Sequence, residues 1–312
     1  MVVSRHRLVV LAIIAGTLTL NARPVSAQVD FSGEWRTVTH EDDLDLTGDY
    51  TGMPINDEAR LRFDSWDAIE FSLPEMQCRP HSLAHAAWVT NAGFRQFRWW
   101  KEIDPVTLAT IAYKMRGGWM EMERTIWMDG RPRPSESAPH TWLGFSTGRW
   151  EGGSLRITTT HLKEGYIYRN GPTASDRAVV TEVFTRHRNH LMSAAFLEDP
   201  VYLTEPYLRT TTWVVETRAR DLQERYPCGL NEVVVEVVRP AGEVPHYLPG
   251  TNERVREFAA EFGLPFEPTR GGAETMYPEY RETIKTLKVE PVHSPALLPG
   301  ATRVPRPGSG SQ

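Results

Sequence analysis

The segment from Thr125 to Tyr166, TIWMDGRPRPSESAPHTWLGFSTGRWEGGSLRITTTHLKEGY, indicates how the chain folds. Asp129-Gly130 and Glu151-Gly152-Gly153 each separate two runs of apolar or β-branched residues. Glycine-containing turns between such runs are the strongest local signal for tight antiparallel hairpins. The segment therefore predicts a β-sheet that folds back on itself twice.

The strand after the second predicted turn carries a histidine at its end. Because side chains alternate along a strand, the apolar face that begins at Leu155 should end at His161. His140, Trp142 and Tyr166 lie nearby in the sequence. We therefore expect polar and aromatic groups to gather where the predicted hairpins open, as at the rim of a pocket.

Strand-like runs separated by short turns continue through most of the chain. They are rich in β-branched and aromatic residues and cover residues 86–103, 107–115, 119–128, 178–187, 191–197, 202–216 and 231–238. With the central segment they amount to about eight to ten strands, the pattern of an antiparallel meander that closes or nearly closes on itself. The sequence predicts a mainly β protein with peripheral helices.

The start of the first strand carries a short motif, Gly33-x-Trp35. It resembles the Gly-x-Trp signature with which lipocalin-type barrels begin, where the indole packs across one end of the barrel. This resemblance implies a lipocalin-like barrel or strongly curved sheet. A tryptophan in an edge strand of any β fold is the alternative interpretation.

The N-terminal residues have the pattern of an export signal. Arg5-His6-Arg7 precedes the apolar run from Leu8 to Leu20, and Val25-Ser26-Ala27 has the small residues of a cleavage site. We expect residues 1–27 to be a signal peptide. No later run approaches the roughly 20 apolar residues of a membrane helix. We therefore expect the mature protein to be soluble and periplasmic or secreted.

The mature chain divides by composition into three parts. Residues 28–250 should form one β-barrel-like domain with a helical insertion at 54–68, where Asn56 is a candidate N-cap. Residues 251–290 should form a helical C-terminal appendage. Residues 291–312 are rich in proline, glycine and serine, so we expect a disordered tail.

The overall charge excludes some classes of partner. A formal net charge of −5 and a pI near 6.1 indicate an ordinary surface, whereas nucleic-acid binding requires clustered lysine and arginine. The sequence also lacks a glycine-rich phosphate loop and any motif that docks a redox cofactor. We expect a small-molecule ligand or substrate, no cofactor and no nucleic-acid partner.

The two cysteines, Cys78 and Cys228, predict a disulfide, because an even pair in an exported protein is usually oxidised. Two free thiols are the alternative.

Metal binding is not predicted. His81 and His85 are four residues apart but lack the flanking glutamate of a metallopeptidase helix.

The candidate catalytic residues are ionisable groups placed on predicted strands. Glu182 should share the face of Val180 and Phe184, where a carboxylate must be paired or protonated. A partner such as Arg209 or Arg124 would give a structural ion pair, whereas His161 would give an acid/base pair that moves protons near neutral pH. The full candidate set for acid/base chemistry is His140, His161, Glu182 and Tyr113, with Arg186 and Arg209 nearby.

Tryptophans supply the candidate ligand-binding surface. Trp99 and Trp100 are adjacent, so they must face opposite sides of a strand. We expect Trp99, Trp142 and Trp213 to line an apolar cavity, with ordinary core packing as the alternative. Arg209 and Arg124 are the charged groups predicted to orient a ligand there.

Several short segments resemble those of a large group of secreted bacterial proteins that carry an Asp-Gly-Arg-Pro turn and a Trp-Glu-Gly-Asp turn. These segments are GMPIN at 52–56, QCRPH at 77–81, IWMDGRP at 126–132, WEG at 150–152 and DPVYLTEP at 199–206. The resemblance implies export and a shared fold over residues 30 to 250, and it assigns no catalytic residues. Gly153 stands where that group has an acidic residue.

Three functions fit these observations. The first is an exported barrel that binds a small, largely apolar ligand. The second is an enzyme on the same scaffold that performs acid/base chemistry, such as an isomerase, cyclase, dehydratase or hydrolase. The third is a structural, envelope-associated interaction protein whose interior is filled by its own side chains.

Overall fold

A computed structural model describes residues 29–38, 51–64, 81–86, 96–117, 122–167, 172–218 and 253–289. Its strands are β1 (Gly33–Thr37), β2 (Gln96–Ile103), β3 (Thr110–Gly117), β4 (Glu123–Trp127), β5 (Phe145–Glu151), β6 (Ser154–Thr160), β7 (Gly165–Tyr166), β8 (Thr173–Ala174), β9 (Val179–His187), β10 (His190–Glu198) and β11 (Tyr207–Val215). Nine of them close into a barrel in the order β1-β11-β10-β9-β6-β5-β4-β3-β2, and β7 pairs with β8 in a separate small sheet. The predicted mainly β barrel is confirmed.

One junction of the barrel is parallel, so the predicted antiparallel meander does not hold at this point. β4 and β5 run parallel and pair only through Ile126–Ser146 and Trp127–Thr147. Asp129-Gly130 does not close a hairpin, although Gly130 has a φ of 74°. Pro132 and Pro134 follow it, and proline has no N–H to donate to a strand ladder. The chain therefore crosses back to the starting end before β5 begins.

The second predicted hairpin is confirmed. Glu151 pairs with Ser154, and Gly152 occupies the left-handed region at a φ of 61°. Glycine tolerates this conformation without a Cβ clash. The resulting register places residues 155, 157 and 159 of β6 inside the barrel, where all three are buried.

Seven aromatic side chains pack inside or across one end of the barrel: Phe31, Trp35, Phe97, Trp99, Tyr113, Phe184 and Trp213. Trp99 is central, with its ring centroid 5.1 Å from Phe184 and 5.3 Å from Phe31 in edge-on contacts. The Trp35 indole donates a hydrogen bond to the Phe31 carbonyl at 2.9 Å. These contacts form the core, because each aromatic side chain buries a large apolar area.

Helix α1 (Asp57–Asp64) is the described part of the predicted insertion. The Asn56 side chain caps it by accepting a hydrogen bond from the Ala59 N–H at 3.0 Å, as predicted. Ala59 and Phe63 face the core, whereas Leu61 is exposed. The short helix α2 (Leu83–Ala86) lies near β7. Both helices extend the apolar core beyond the barrel wall.

The C-terminal helices dock on the segment before α1. They are α3 (Glu253–Glu261), α4 (Phe266–Thr269), a 3₁₀ helix (Ala273–Met276) and α5 (Tyr280–Thr286). The Gly272 N–H donates to the Met53 carbonyl at 2.8 Å, and the Gly52 N–H donates to the Thr275 hydroxyl at 2.6 Å. Arg60 donates to the Gly271 carbonyl at 2.9 Å. The appendage is therefore held on α1 and the segment before it by hydrogen bonds, one between two backbone groups and two that each involve a side chain.

Some predictions fall outside the described residues. These are the signal peptide at 1–27, the pairing of Cys78 with Cys228, the strand at 231–238 and the tail at 291–312. They stay predictions. In the described part of the chain, no helix is both long enough and apolar enough to cross a bilayer.

Candidate functional site

A buried ion pair lies inside the barrel. Arg124 on β4 and Glu182 on β9 are joined by an Nη2–Oε2 contact of 2.5 Å, with side chains 1% and 5% exposed. Glu182 therefore faces the interior, and an arginine satisfies it. Arg209 also faces the interior side of its strand, in one lateral row with Ala195 and Glu182, but it is half-buried.

The Arg124 side chain reaches Glu182 by crossing two intervening strands. Its Nε donates to the Ser146 hydroxyl at 3.0 Å, and its Nη2 donates to the Thr159 hydroxyl at 2.8 Å. The two hydroxyls are themselves 2.8 Å apart. Because the β4–β5 junction has only two paired residues on each strand, this side chain adds a cross-link where the backbone ladder is shortest.

His161 does not join this network, so the predicted position of His161 on the inner face is wrong. Strand β6 ends at Thr160, and His161 takes a left-handed φ of 58° that turns it away from the strand. Its Nε2 bonds the Ser135 carbonyl at 2.9 Å and must therefore carry the proton. In the neutral imidazole, its Nδ1 accepts a hydrogen bond from the Thr160 hydroxyl at 2.8 Å. The acid/base pair of His161 with Glu182 is not formed.

His140 and Trp142 lie with His161 outside the barrel. The two imidazole centroids are 5.2 Å apart, and His140 Nδ1 donates to the Leu162 carbonyl at 2.8 Å. Trp142 lies in the loop before β5, and Lys163 packs over its ring at 5.2 Å. The prediction that Trp142 lines the same cavity as Trp99 and Trp213 is wrong, because the loop leaves the barrel between β4 and β5.

Trp99 and Trp213 do lie in the barrel interior. Trp213 stacks on Phe184 with a centroid distance of 6.0 Å and meets Phe97 edge-on at 5.5 Å. Trp99 meets Tyr113 edge-on at 5.8 Å. Both tryptophans are therefore part of the aromatic core. Their neighbour in sequence, Trp100, is half-buried on the outer face, as strand alternation predicts.

Three buried hydrogen-bond donors inside the barrel have no hydrogen-bond partner among the described residues. They are Arg124 Nη1, Tyr113 Oη and Trp99 Nε1. Met115 pairs with Trp99 on one side and with Arg124 on the other, and Tyr113 is two residues away on the same strand. The three donors thus belong to neighbouring positions on β2, β3 and β4, which we call the donor patch. Buried polar groups are normally satisfied, so this cluster requires an explanation.

Burial makes the Tyr113 phenol a weaker acid than an ordinary tyrosine, because it raises the pKa of the hydroxyl. Desolvation, together with the nearby Asp30 carboxylate, raises the pKa of Tyr113 from 10.0 to about 12. The Trp150 indole opposes this pKa shift but does not reach hydrogen-bond geometry with the hydroxyl. Tyr113 is therefore a neutral donor at physiological pH.

The raised pKa of Tyr113 predicts that this tyrosine loses its proton at a higher pH in the folded chain than in the unfolded chain. Between pH 10 and about 12 the unfolded chain loses the Tyr113 proton and the folded chain keeps it, so stability falls as the pH rises through this range. We expect the phenolate absorbance of the folded protein to include one tyrosine that titrates near pH 12 and is missing in Tyr113→Phe. Superimposable titration curves for the two proteins would contradict this assignment.

His81 and His85, the histidine pair weighed for metal binding, lie side by side. His81 and His85 stack with centroids 4.0 Å apart, and His85 Nδ1 donates to the Ile167 carbonyl at 2.9 Å. Over the described ranges, no group of three or more histidine, cysteine, aspartate or glutamate side chains is arranged to hold a metal ion.

Ser146 and Thr159 were not predicted as partners of the ion pair. Their pairing follows from the hairpin: with Gly152-Gly153 as the turn, Ser146 stands opposite Thr159. The register of a two-residue hairpin therefore contained the signal for this contact. Their contact with Arg124 had no such signal, because it depends on the parallel junction.

Neither the protein-family models, the curated proteins nor the solved structures include a match to this chain. The class that the fold defines is a closed, mixed nine-stranded β-barrel with peripheral helices. Its site is defined by the ion pair and the donor patch.

Proposed function

We propose that this chain is an exported protein that binds a small, largely apolar molecule inside its barrel. The observation that carries the proposal is the donor patch. Leaving a buried donor unsatisfied costs about 1–3 kcal/mol, so three on neighbouring strands are a large penalty for a purely structural interior. A ligand that supplies acceptors would remove that penalty.

The surroundings of the donor patch favour a ligand with an apolar body. Trp99 and Tyr113 present rings as well as polar atoms, and Phe184 and Met115 are buried beside them. Ligand sites in proteins commonly combine such apolar walls with a few placed polar groups. The ion pair fixes Arg124 in position, so its remaining N–H groups are oriented before a ligand arrives.

Co-purification tests the proposal. The protein is produced with its own N-terminal segment, recovered under native conditions, and extracted with organic solvent for mass spectrometry. We expect a bound small molecule in the unaltered protein and about three- to tenfold less in Tyr113→Phe, the loss that one hydrogen bond produces. The Tyr113 hydroxyl has no partner in the described part of the chain, so the variant keeps its fold.

Two further variants serve as controls. Tyr202→Phe alters another buried tyrosine, outside the barrel, where Arg62 packs over its ring at 4.9 Å. His161→Ala alters the imidazole that bonds Ser135 and Thr160. Both should retain the extracted molecule. Equal amounts from all four proteins would contradict binding at the donor patch.

A further inference from the structure

We propose that the ligand presents a neutral carbonyl oxygen, as in a ketone, ester or amide, to the donor patch. This inference rests on the ligand binding proposed above and adds the chemical class. Arginine and indole N–H groups can only donate, and the Tyr113 hydroxyl is a neutral O–H. The complementary group on a ligand is therefore a hydrogen-bond acceptor.

The acceptors beside Arg124 are engaged by the protein. The Glu182 carboxylate and the Ser146 and Thr159 hydroxyls all accept hydrogen bonds from Arg124. A ligand ammonium can only donate, and a ligand hydroxyl brings a donor proton of its own, whereas these acceptors already bond Arg124. The donor patch therefore selects for ligand oxygen atoms with lone pairs.

Charge favours a neutral acceptor over a carboxylate. The Arg124 guanidinium is already matched by Glu182 at 2.5 Å, so the pair is neutral as a unit. A ligand carboxylate at Arg124 Nη1 would bring a second negative charge close to Glu182 in a buried site, where an unbalanced charge is costly. A carbonyl oxygen accepts the same hydrogen bonds without that charge.

Three matched probes test the ligand class: acetylcyclohexane, cyclohexanecarboxylate and ethylcyclohexane. They share one apolar ring. Its substituent is a ketone in the first probe, a carboxylate in the second and an apolar ethyl group in the third. Affinities are measured by NMR titration of the full-length protein. We expect acetylcyclohexane to bind at least about tenfold more tightly than either of the other two, because hydrogen bonds of ordinary strength are each equivalent to roughly three- to tenfold in affinity.

Tyr113→Phe removes the hydroxyl that donates the proposed hydrogen bond and keeps the aromatic ring that shapes the site. In this variant the affinity for acetylcyclohexane should fall about three- to tenfold, while the affinity for ethylcyclohexane stays the same. Tyr202→Phe is the matched control and should leave both affinities unchanged. Equal losses for both probes in Tyr113→Phe would indicate altered packing and would contradict a carbonyl contact.

The outcomes distinguish the two proposals. If none of the three probes binds, the proposed ligand-binding function is contradicted. If all three bind with equal affinity, ligand binding stands and the carbonyl class is overturned. If cyclohexanecarboxylate binds most tightly, the site takes an anion, and the neutral class is overturned.

Discussion

Arg124→Met lowers the free energy of unfolding by about 3–5 kcal/mol, because it leaves the Glu182 carboxylate buried without a counter-ion. Arg124 and Glu182 are both almost fully buried, so water cannot replace the lost partner. The substitution also removes the side-chain link across the β4–β5 junction, where only two residue pairs connect the strands. Equilibrium unfolding in urea measures the effect.

A double variant identifies the source of this loss. In Arg124→Met/Glu182→Leu the unpaired charge is gone, while the Ser146 and Thr159 hydroxyls can still bond each other. Replacing both members of a buried ion pair by apolar residues is often close to neutral, so we expect most of the stability to return. The exposed pair of Arg149 and Glu151 supplies the control, and Arg149→Met should cost less than about 1 kcal/mol. A similar loss in the double variant would contradict this account.

Trp99→Ala should also cost about 3–5 kcal/mol, because it opens a cavity among Phe31, Tyr113 and Phe184. Trp100→Ala is the matched control, since this neighbour lies half-buried on the outer face. We expect it to cost about 1 kcal/mol in the same urea measurement. Equal losses for the two variants would show that the barrel interior is not the main core.

Much of the barrel was predictable because its signals are local. The opposite orientation of Trp99 and Trp100 follows from strand alternation, and the β5–β6 hairpin follows from Gly152-Gly153. The Asn56 cap follows from residue type and position. Each of these features depends on residues a few positions apart, so one sequence is sufficient to find it.

Other features depend on contacts between distant parts of the chain or on an unusual backbone conformation. Asp129-Gly130 carries a hairpin signal, but the prolines after it prevent antiparallel pairing, and β5 joins β4 in parallel. The choice between arginine and His161 as the partner of Glu182 therefore could not be made from the sequence. The left-handed φ of His161, which decides that choice, is rare for a residue other than glycine and has no sequence signature.

The Trp99 indole N–H signal reports on the proposed binding most directly. In the acetylcyclohexane titration we expect this NMR signal, assigned with Trp99→Phe, to shift and saturate as the probe binds. The Trp100 indole on the outer face should stay fixed. A Trp99 signal that does not move while the ketone binds, or an equal shift of both indoles, would contradict a ligand site at the donor patch.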